Sequence, residues 1–221
     1  MTDNAPQPSL REQKKEETRR ALSRAAAELL LAEGNEGMTV AAIAERAGVS
    51  TRTFHNYFPR REDALLTFIE FTVDELTALI AEAPADEAPL TTLRRVIGDR
   101  VADNGDGTAE GPGSLLNLIA IGDHLSYVTG PEDKDRVRSL FDDLLDALYR
   151  RDGNRLSRQG TALLLLACLA AGGIAVEAAQ SANPEDTSGH LLPWMMRDES
   201  PRGAVEVLDE GFALLREGFG G

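Results

Sequence analysis

The sequence predicts an all-α protein: a three-helix helix-turn-helix head within residues 1–61, behind a disordered polar arm, and a larger helical body in residues 62–221. Three observations lead there. Apolar residues recur at three- and four-residue steps through almost every segment, the period of a helix with one buried face, and alternating strand-like runs are missing. The breaker-rich stretches "APADEAP" and "DNGDGTAEGPG" interrupt the pattern at helix-length intervals. Charge divides the chain at the same place: residues 1–61 hold 10 Lys+Arg against 8 Asp+Glu, and residues 62–221 hold 13 against 29.

The first helix is predicted from about Glu12 to Glu33, burying Leu22, Ala26, Leu29 and Leu30, with the glycines of "EGNEG" ending it. Two short helices follow in "MTVAAIAERAGVSTRTFHNYF". Thr39 and Ser50 each stand where a side-chain oxygen accepts from an orphaned N–H of the next turn. Pro59 forbids continuation, and a new helix starts near Arg61, with Glu62 and Asp63 complementing its dipole. It runs to about Ala81 with Leu65, Phe68 or Ile69, Thr72, Leu76 and Leu79 inward. Such a helix spans roughly 30 Å, enough to bridge two subregions. Further helices are predicted from about Leu90 to Ala102, Ser114 to Tyr127, Glu132 to Arg151 and Leu156 to Ala182. In the third of these Val137, Leu140, Phe141, Leu144 and Leu148 face inward. The last helix takes Ser200 as its cap and Pro201 as its first residue, and ends in glycines.

Several classes of function find no support. The single cysteine, Cys168, cannot form an intrachain disulfide or a spaced-cysteine zinc site, which fits a reducing cytoplasm. The start "MTDNAPQPSLREQKKEETRR" has no apolar core of a secretory signal. The most apolar run, Thr161 to Val176, falls short of the roughly 20 residues that span a bilayer and reads as a buried helix, so no membrane partner is expected. His55, His124 and His190 lack ligand spacing, and no metal or other cofactor is expected. "GDGTAEGPG" lacks the Lys-Ser/Thr ending of a phosphate loop. Asp142 and Asp143 are adjacent, so they do not face each other on a helix, and no other pair of residues makes a catalytic centre. The chain is not expected to be an enzyme.

What remains is one unusual stretch, "GVSTRTFHNYFPRRED", with three arginines in an otherwise acidic chain. Two short helices crossing steeply need a small residue where they nearly touch, a glycine in the turn and apolar residues beneath both. Ala44, Gly48 and the set Ile43, Ala47, Val49 and Phe54 meet that requirement. With Phe54 inward, Thr51, Arg52, Thr53, His55 and Asn56 stay available, short donors and one Arg suited to phosphate oxygens and base edges. The local shortage of acids fits an approach to a polyanion.

With these residues in place, Glu12 to Leu66 resembles the N-terminal domain of the tetracycline-repressor (TetR) family of bacterial transcription regulators. The resemblance lies in the order of a long first helix, "MTVAAIAERAGVS", the recognition segment "TRTFHNYF" and then "PRREDAL". It covers about a quarter of the chain; the remaining helices match only in architecture. It implies that Thr39 and Ser50 touch phosphate and that Thr51, Arg52, Thr53 and Asn56 face a groove of double-stranded DNA. His55 stands where the family often has Tyr, Tyr57 where it has His or Tyr, and Arg61 where it usually has Lys, so these three join the expected DNA contacts. Arg61 keeps the charge but offers a planar fork in place of an ammonium.

The resemblance also implies a body that binds a small-molecule effector and forms a homodimer. Candidates for the effector lining, from helix phase, are Phe68, Phe71, Leu115, Leu118, Ile119, His124, Tyr127, Phe141 and Trp194. Their apolar character points to a hydrophobic effector, while Arg94, Arg95 and Arg100 would permit an anionic, acyl-type one. For the dimer, Val205, Leu208, Phe212 and Leu215 form an apolar seam, joined by Ala167, Ala171 and Ile174 in the small-residue helix before it. Core packing within one subunit produces the same spacing. The expected function is a cytoplasmic, sequence-specific repressor released from a palindromic operator by its effector. An activator with the same head, or a helical adaptor using the acidic body, are the alternatives.

Overall fold

A computed structural model describes residues 9–103, 115–151, 153, 155–180 and 203–218. The described residues form helices α1 (Leu10–Gly37), α2 (Val40–Arg46), α3 (Thr51–Tyr57), α4 (Arg61–Glu82), α5 (Pro89–Asp103), α6 (Leu115–Val128), α7 (Pro131–Arg151), α8 (Arg158–Gln180) and α9 (Ala204–Glu217), with no strand among them.

The helix α1 opens two residues earlier than its periodicity predicts, because Ser9 caps it. The Ser9 hydroxyl accepts from the Glu12 N–H, and the Glu12 carboxylate reaches back to the Ser9 N–H at 2.8 Å. Those bonds hold the Glu12 carboxyl below its usual range. The regular helix breaks at Gly34, where φ of 70° takes the left-handed region that glycine enters without a Cβ clash.

The turn between α2 and α3 is a Schellman arrangement. The Gly48 N–H donates to Glu45 O at 3.0 Å and the Val49 N–H to Ala44 O at 2.9 Å, with Gly48 at φ 69°. Beneath it Ile43, Ala44 and Phe54 are buried with Leu22, Ala26, Leu29, Met38 and Phe58. Phe58 is extended, as a residue before proline must be, and Pro59 separates α3 from α4.

The helix α4 joins head to body, packing against α1 at one end and against α5, α6 and α7 along its length. Its buried face is Leu65, Ile69, Thr72, Val73, Leu76 and Ile80, whereas Leu79, expected inward, is exposed. The stripe drifts because 3.6 residues make a turn: position 80, four residues beyond Leu76, stays on the core side, and position 79 rotates off it. The buried Thr72 hydroxyl is satisfied within its own helix, donating to Phe68 O at 2.9 Å.

The helices α4 and α7 lie side by side in parallel. Arg60, ahead of α4, meets Asp133 in the first turn of α7 at 3.1 Å, Glu70 pairs with Arg136, and Arg151 at the end of α7 donates to the carbonyls of Ala83, at 2.9 Å, and Pro84 just past α4. A guanidinium thereby satisfies carbonyls that the end of α4 leaves without helical partners.

The helix α8 packs against α5, α6, α7 and α9. Its apolar run, Thr161 to Val176, reads in the sequence as a buried helix. Instead one face is buried, through Thr161, Leu165, Cys168, Leu169 and Ala175, and the other exposes Leu163 and Leu166. By length and composition α8 is the one described helix apolar enough to cross a membrane. The helix α9 lies close along it, since Gly211 faces Ala171 where a Cβ would come within 3.2 Å. The start of α9 differs from expectation: Gly203 is the N-cap and Ala204 the first helical residue, while Ser200 and Pro201 lie outside the described residues. The predicted end of α8 at Ala182 lies outside them as well.

Candidate nucleic-acid interface and body cavity

Two caps set the orientation of the short helices. Thr39 Oγ1 accepts from the Ala42 N–H at 3.1 Å, and Ser50 Oγ accepts from the Thr53 N–H at 3.1 Å and lies 2.9 Å from Thr53 Oγ1. Both capping residues are solvent-exposed. Phe54, fully buried, fixes the roll of α3. Its ring meets His55 edge-on, with centroids 5.5 Å apart, and Phe58 at 5.7 Å. With that face anchored, Thr51, Arg52, His55 and Asn56 point to solvent, Thr53 is half-buried, and Tyr57 is half-buried against the core.

Arg52 makes no hydrogen bond or ion pair with the described residues, so its donors are open. Three nearby acids are drawn off: Glu28 and Glu33 lie 3.8 and 3.5 Å from Arg46, and Asp63 lies 2.6 Å from Arg60. The helix α3 carries no acid. Short hydroxyls, an amide, an imidazole and one free guanidinium therefore share a convex, acid-poor face of the size that enters a major groove.

Arg61 stands elsewhere. Its guanidinium donates to Asn35 O at 2.8 Å, Asn35 Oδ1 at 2.9 Å and Met38 O at 3.0 Å, and pairs with Glu62 at 2.9 Å. It clamps the end of α1 to the start of α4 instead of standing free toward solvent, because the planar fork fits several carbonyl oxygens at once. Arg60, not singled out from sequence, is the neighbour whose charge is shared with the body. Its hydrogen bonds to Asp63 and then to Asp133 raise its pKa further above the usual arginine range. Two more basic residues are tied inside the molecule: Arg20 stacks on Phe71 at 4.1 Å and pairs with Glu75 at 2.9 Å, and Arg19 donates to Thr67 at 3.3 Å. From the sequence Arg19 and Arg20 read as a solvated helix start or a reach toward the DNA backbone; their ties to α4 leave no local signal because they join distant helices.

The body contains an apolar cavity. Val73, Leu76 and Ile80 of α4 form one wall, Leu93, Val96 and Ile97 of α5 a second, and Leu118, Phe141, Leu144, Leu165 and Leu169 close it from α6, α7 and α8. The space measures about 30 Å³. Of the expected lining, Leu118 and Phe141 are brought there. Phe68 is buried in the core outside it, Phe71 faces the Arg20 stack, and Tyr127 is 82% exposed at the end of α6. His124 is half-buried and does not line the cavity; its Nε2 is buried without a partner. The side chains of Leu115 and Ile119, and Trp194 altogether, lie outside the described residues. Aromatic residues drew the expectation, but apart from Phe141 the described walls are aliphatic and follow the inward phase of α4 and α5.

The expected dimer residues divide in the same way. Leu208 and Phe212 are buried within the subunit, at 0% and 1% exposure, because α9 turns them onto α5 and α8. Val205 is exposed, and Ala167, Ala171, Ile174 and Leu215 are half-buried. The large apolar side chains left open on α8 are Leu163 and Leu166, at 70% and 59%.

A capped helix pair with a Schellman turn and an open polar second helix defines a helix-turn-helix protein. The family model for bacterial regulatory proteins of the tetR family matches residues 22–66. Over 115 residues the chain is 39% identical to the HTH-type transcriptional regulator TcmR of Streptomyces glaucescens, a stretch that covers 50% of this chain and 49% of that protein. The chain thus matches about half the length of its curated relative. Among solved structures it resembles a transcriptional regulator from Rhodococcus sp. Rha1, with a TM-score of 0.55 at 18% identity over 90% of this chain and 96% of that one. It also resembles a TetR/AcrR-family transcriptional regulator from Thermobifida fusca YX-ER1, with a TM-score of 0.51 at 20% identity over 91% and 97%. At those identities the two structures speak to the fold. Over residues 22–66 the chain is thus similar to the DNA-binding domain of the tetR family of bacterial regulatory proteins.

Proposed function

We propose that this chain is a sequence-specific, DNA-binding transcriptional regulator, acting as a homodimer in the cytoplasm. In this reading it represses from a palindromic operator and is released when a small hydrophobic or acyl-type effector enters the body. The observation that carries the DNA-binding reading is the open face of α3, where Thr51, Arg52, His55 and Asn56 are exposed around an unpaired guanidinium. In the complex Thr39 and Ser50 would meet phosphate alongside the helix ends they cap, and Thr53 and Tyr57 would border the contact. Arg61 would act chiefly by holding the head's shape, with its outer edge near the backbone.

A single α3 reads few base pairs, so useful affinity requires two copies on half-sites related by a two-fold axis. The helices α8 and α9 are the proposed dimer surface, through the α8 face that carries Leu163 and Leu166 with Ala167, Ala171 and Ile174, and through Val205 and Leu215 of α9. Repressor is favoured over activator by economy, since a dimer seated on an operator blocks polymerase without any further contact. Helix α4 both walls the cavity and begins beside the recognition helix, so an effector that parts α4 from α5 and α8 changes the spacing of the two heads. By linkage, an effector that weakens operator binding must itself bind less tightly to the operator complex.

Selection of duplexes from a random pool by the purified protein tests the reading. The expected winner is a two-fold symmetric sequence whose affinity falls steeply with salt. Arg52→Ala with Thr53→Ala should cost at least roughly tenfold in its affinity, with helicity and melting unchanged. No enrichment from a folded sample at low salt would remove it.

A further inference from the structure

We propose that the body cavity takes an uncharged, apolar ligand and rejects anions of the same carbon skeleton. The proposal rests on the effector-site reading above and narrows it, setting aside the acyl-type anion that the arginines of α5 would otherwise permit.

Two observations carry it. The walls supplied by α4, α5, α6, α7 and α8 are aliphatic apart from the ring of Phe141. Among the described residues that line it, no side chain can donate to a carboxylate or phosphate. The cations nearest in sequence are then accounted for one by one. Arg94 donates to Asp209 of α9 at 2.7 Å, Arg95 lies 3.4 Å from Glu87, and Arg100 lies 3.3 Å from Glu75 of α4. Glu87 also accepts from the Thr92 hydroxyl at 2.7 Å, a bond that together with Arg95 holds its carboxyl below the usual range and keeps it ionised beside that arginine.

Arg100 is the informative case. It sits three and four residues beyond Ile97 and Val96 in α5, outside the lining itself, and its Nε is buried without a partner. Its charge is already balanced by Glu75, which also accepts from Arg20. A neutral acceptor such as an ester carbonyl or a hydroxyl could take the vacant Nε–H. A second anion there would face Glu75 and would have to leave water without a counter-charge, which an apolar site strongly disfavours. A ligand of ordinary size enters only as the helices part, because the cavity measures about 30 Å³. Parting apolar walls around an apolar ligand keeps them out of water, whereas parting them around a hydrated charge does not.

The test uses the full-length protein and three matched probes: 1-decanol, methyl decanoate and decanoate, titrated by calorimetry at pH 7.5. Decanol and the ester should bind at least about tenfold more tightly than the carboxylate. Lowering the pH toward 5.5 should strengthen decanoate binding as its neutral fraction grows, leaving decanol unchanged. Val96→Phe, which fills the cavity, should abolish the binding of decanol in a variant whose helicity and melting are retained; the probe comparison on the unaltered protein stands without it. Equal or tighter binding of decanoate at pH 7.5 would overturn the proposal, as would binding of none of the probes or undiminished decanol binding by folded Val96→Phe. Operator affinity is measured separately. If decanol binds as expected while the operator complex persists, the ligand class holds and the effector reading fails.

Discussion

The Arg61 guanidinium directs three hydrogen bonds at Asn35 and Met38, which places it between two tasks, clamp and phosphate contact. Sequence position alone assigns it to DNA; only folding brings Asn35 within reach, 26 residues away in the chain. Arg61→Ala should therefore lower the stability of the head by about 1 kcal/mol, since the Asn35 and Met38 carbonyls, the latter part-buried, lose a charged donor. Arg61→Lys separates the tasks: it keeps the charge but cannot serve all three acceptors, so a melting temperature below wild type is expected even where DNA affinity survives. Equal melting of Arg61→Lys and wild type would show that the clamp contributes nothing. Cys168 is a second case. Burial pushes its thiol up to about 12 from an ordinary 9.0, so the folded state holds the neutral form where the unfolded chain ionises. Its contribution is fully present below about pH 9 and is lost between pH 9 and 12, at about 1.4 kcal/mol per pH unit. The urea midpoint of the wild type should fall more steeply than that of Cys168→Ala across this window, and parallel pH profiles would contradict the assignment.

At the scale of elements, the part legible in the sequence is the part whose constraints are local. The α2–α3 turn is written within seven consecutive positions, with Ala44 at the crossing, Gly48 in the left-handed region and Ser50 as the next cap, each fixed by backbone geometry within one or two turns. Nothing lies within 4 Å of a Cβ added at Gly48, so Gly48→Ala measures backbone strain alone. A loss of about 1–2 kcal/mol is expected from the left-handed conformation, read as a shifted denaturant midpoint with unchanged slope. A neutral effect would mean that the turn relaxes. The cavity was less legible because its walls come from five helices, and periodicity gives the inward face of each helix but not which inward faces meet. Leu76 and Phe141, both expected inward, reach the cavity, while Phe68, on the same helix as Leu76, serves the core beside the head. The start of α9 failed for a related reason: Ser200 and Pro201 form a good local signal, but Gly203 in an extended conformation is the residue that caps. The tie between α4 and α7 has no local signal at all, since Arg60 and Asp133 lie 73 residues apart.

For the whole molecule, the decisive question is which apolar seam is internal and which is shared. The spacing of Val205, Leu208, Phe212 and Leu215 marks one face of a helix, and an amphipathic face packs equally well on its own subunit or on another. The fold resolves the ambiguity by burying Leu208 and Phe212 against α5 and α8 and leaving Leu163 and Leu166 open on the far side of α8. In the proposed dimer these two leucines meet their two-fold counterparts, while the body's surplus of acids, 29 against 13 Lys+Arg, stays on surfaces away from the polyanion. Two substitutions tell the seams apart. Leu163→Glu with Leu166→Glu places like charges on both sides of a two-fold interface. It should halve the mass in sedimentation at micromolar concentration and weaken operator binding sharply, while the helicity of each subunit is kept. Phe212→Ala instead removes a core ring and should destabilise the subunit by about 3–5 kcal/mol through lost burial and the cavity left behind, with the mass of the folded fraction unchanged. A dimer that survives both leucine substitutions would place the two-fold interface elsewhere, and a chain monomeric before any substitution would leave one recognition helix to bind alone, too few contacts for a specific operator.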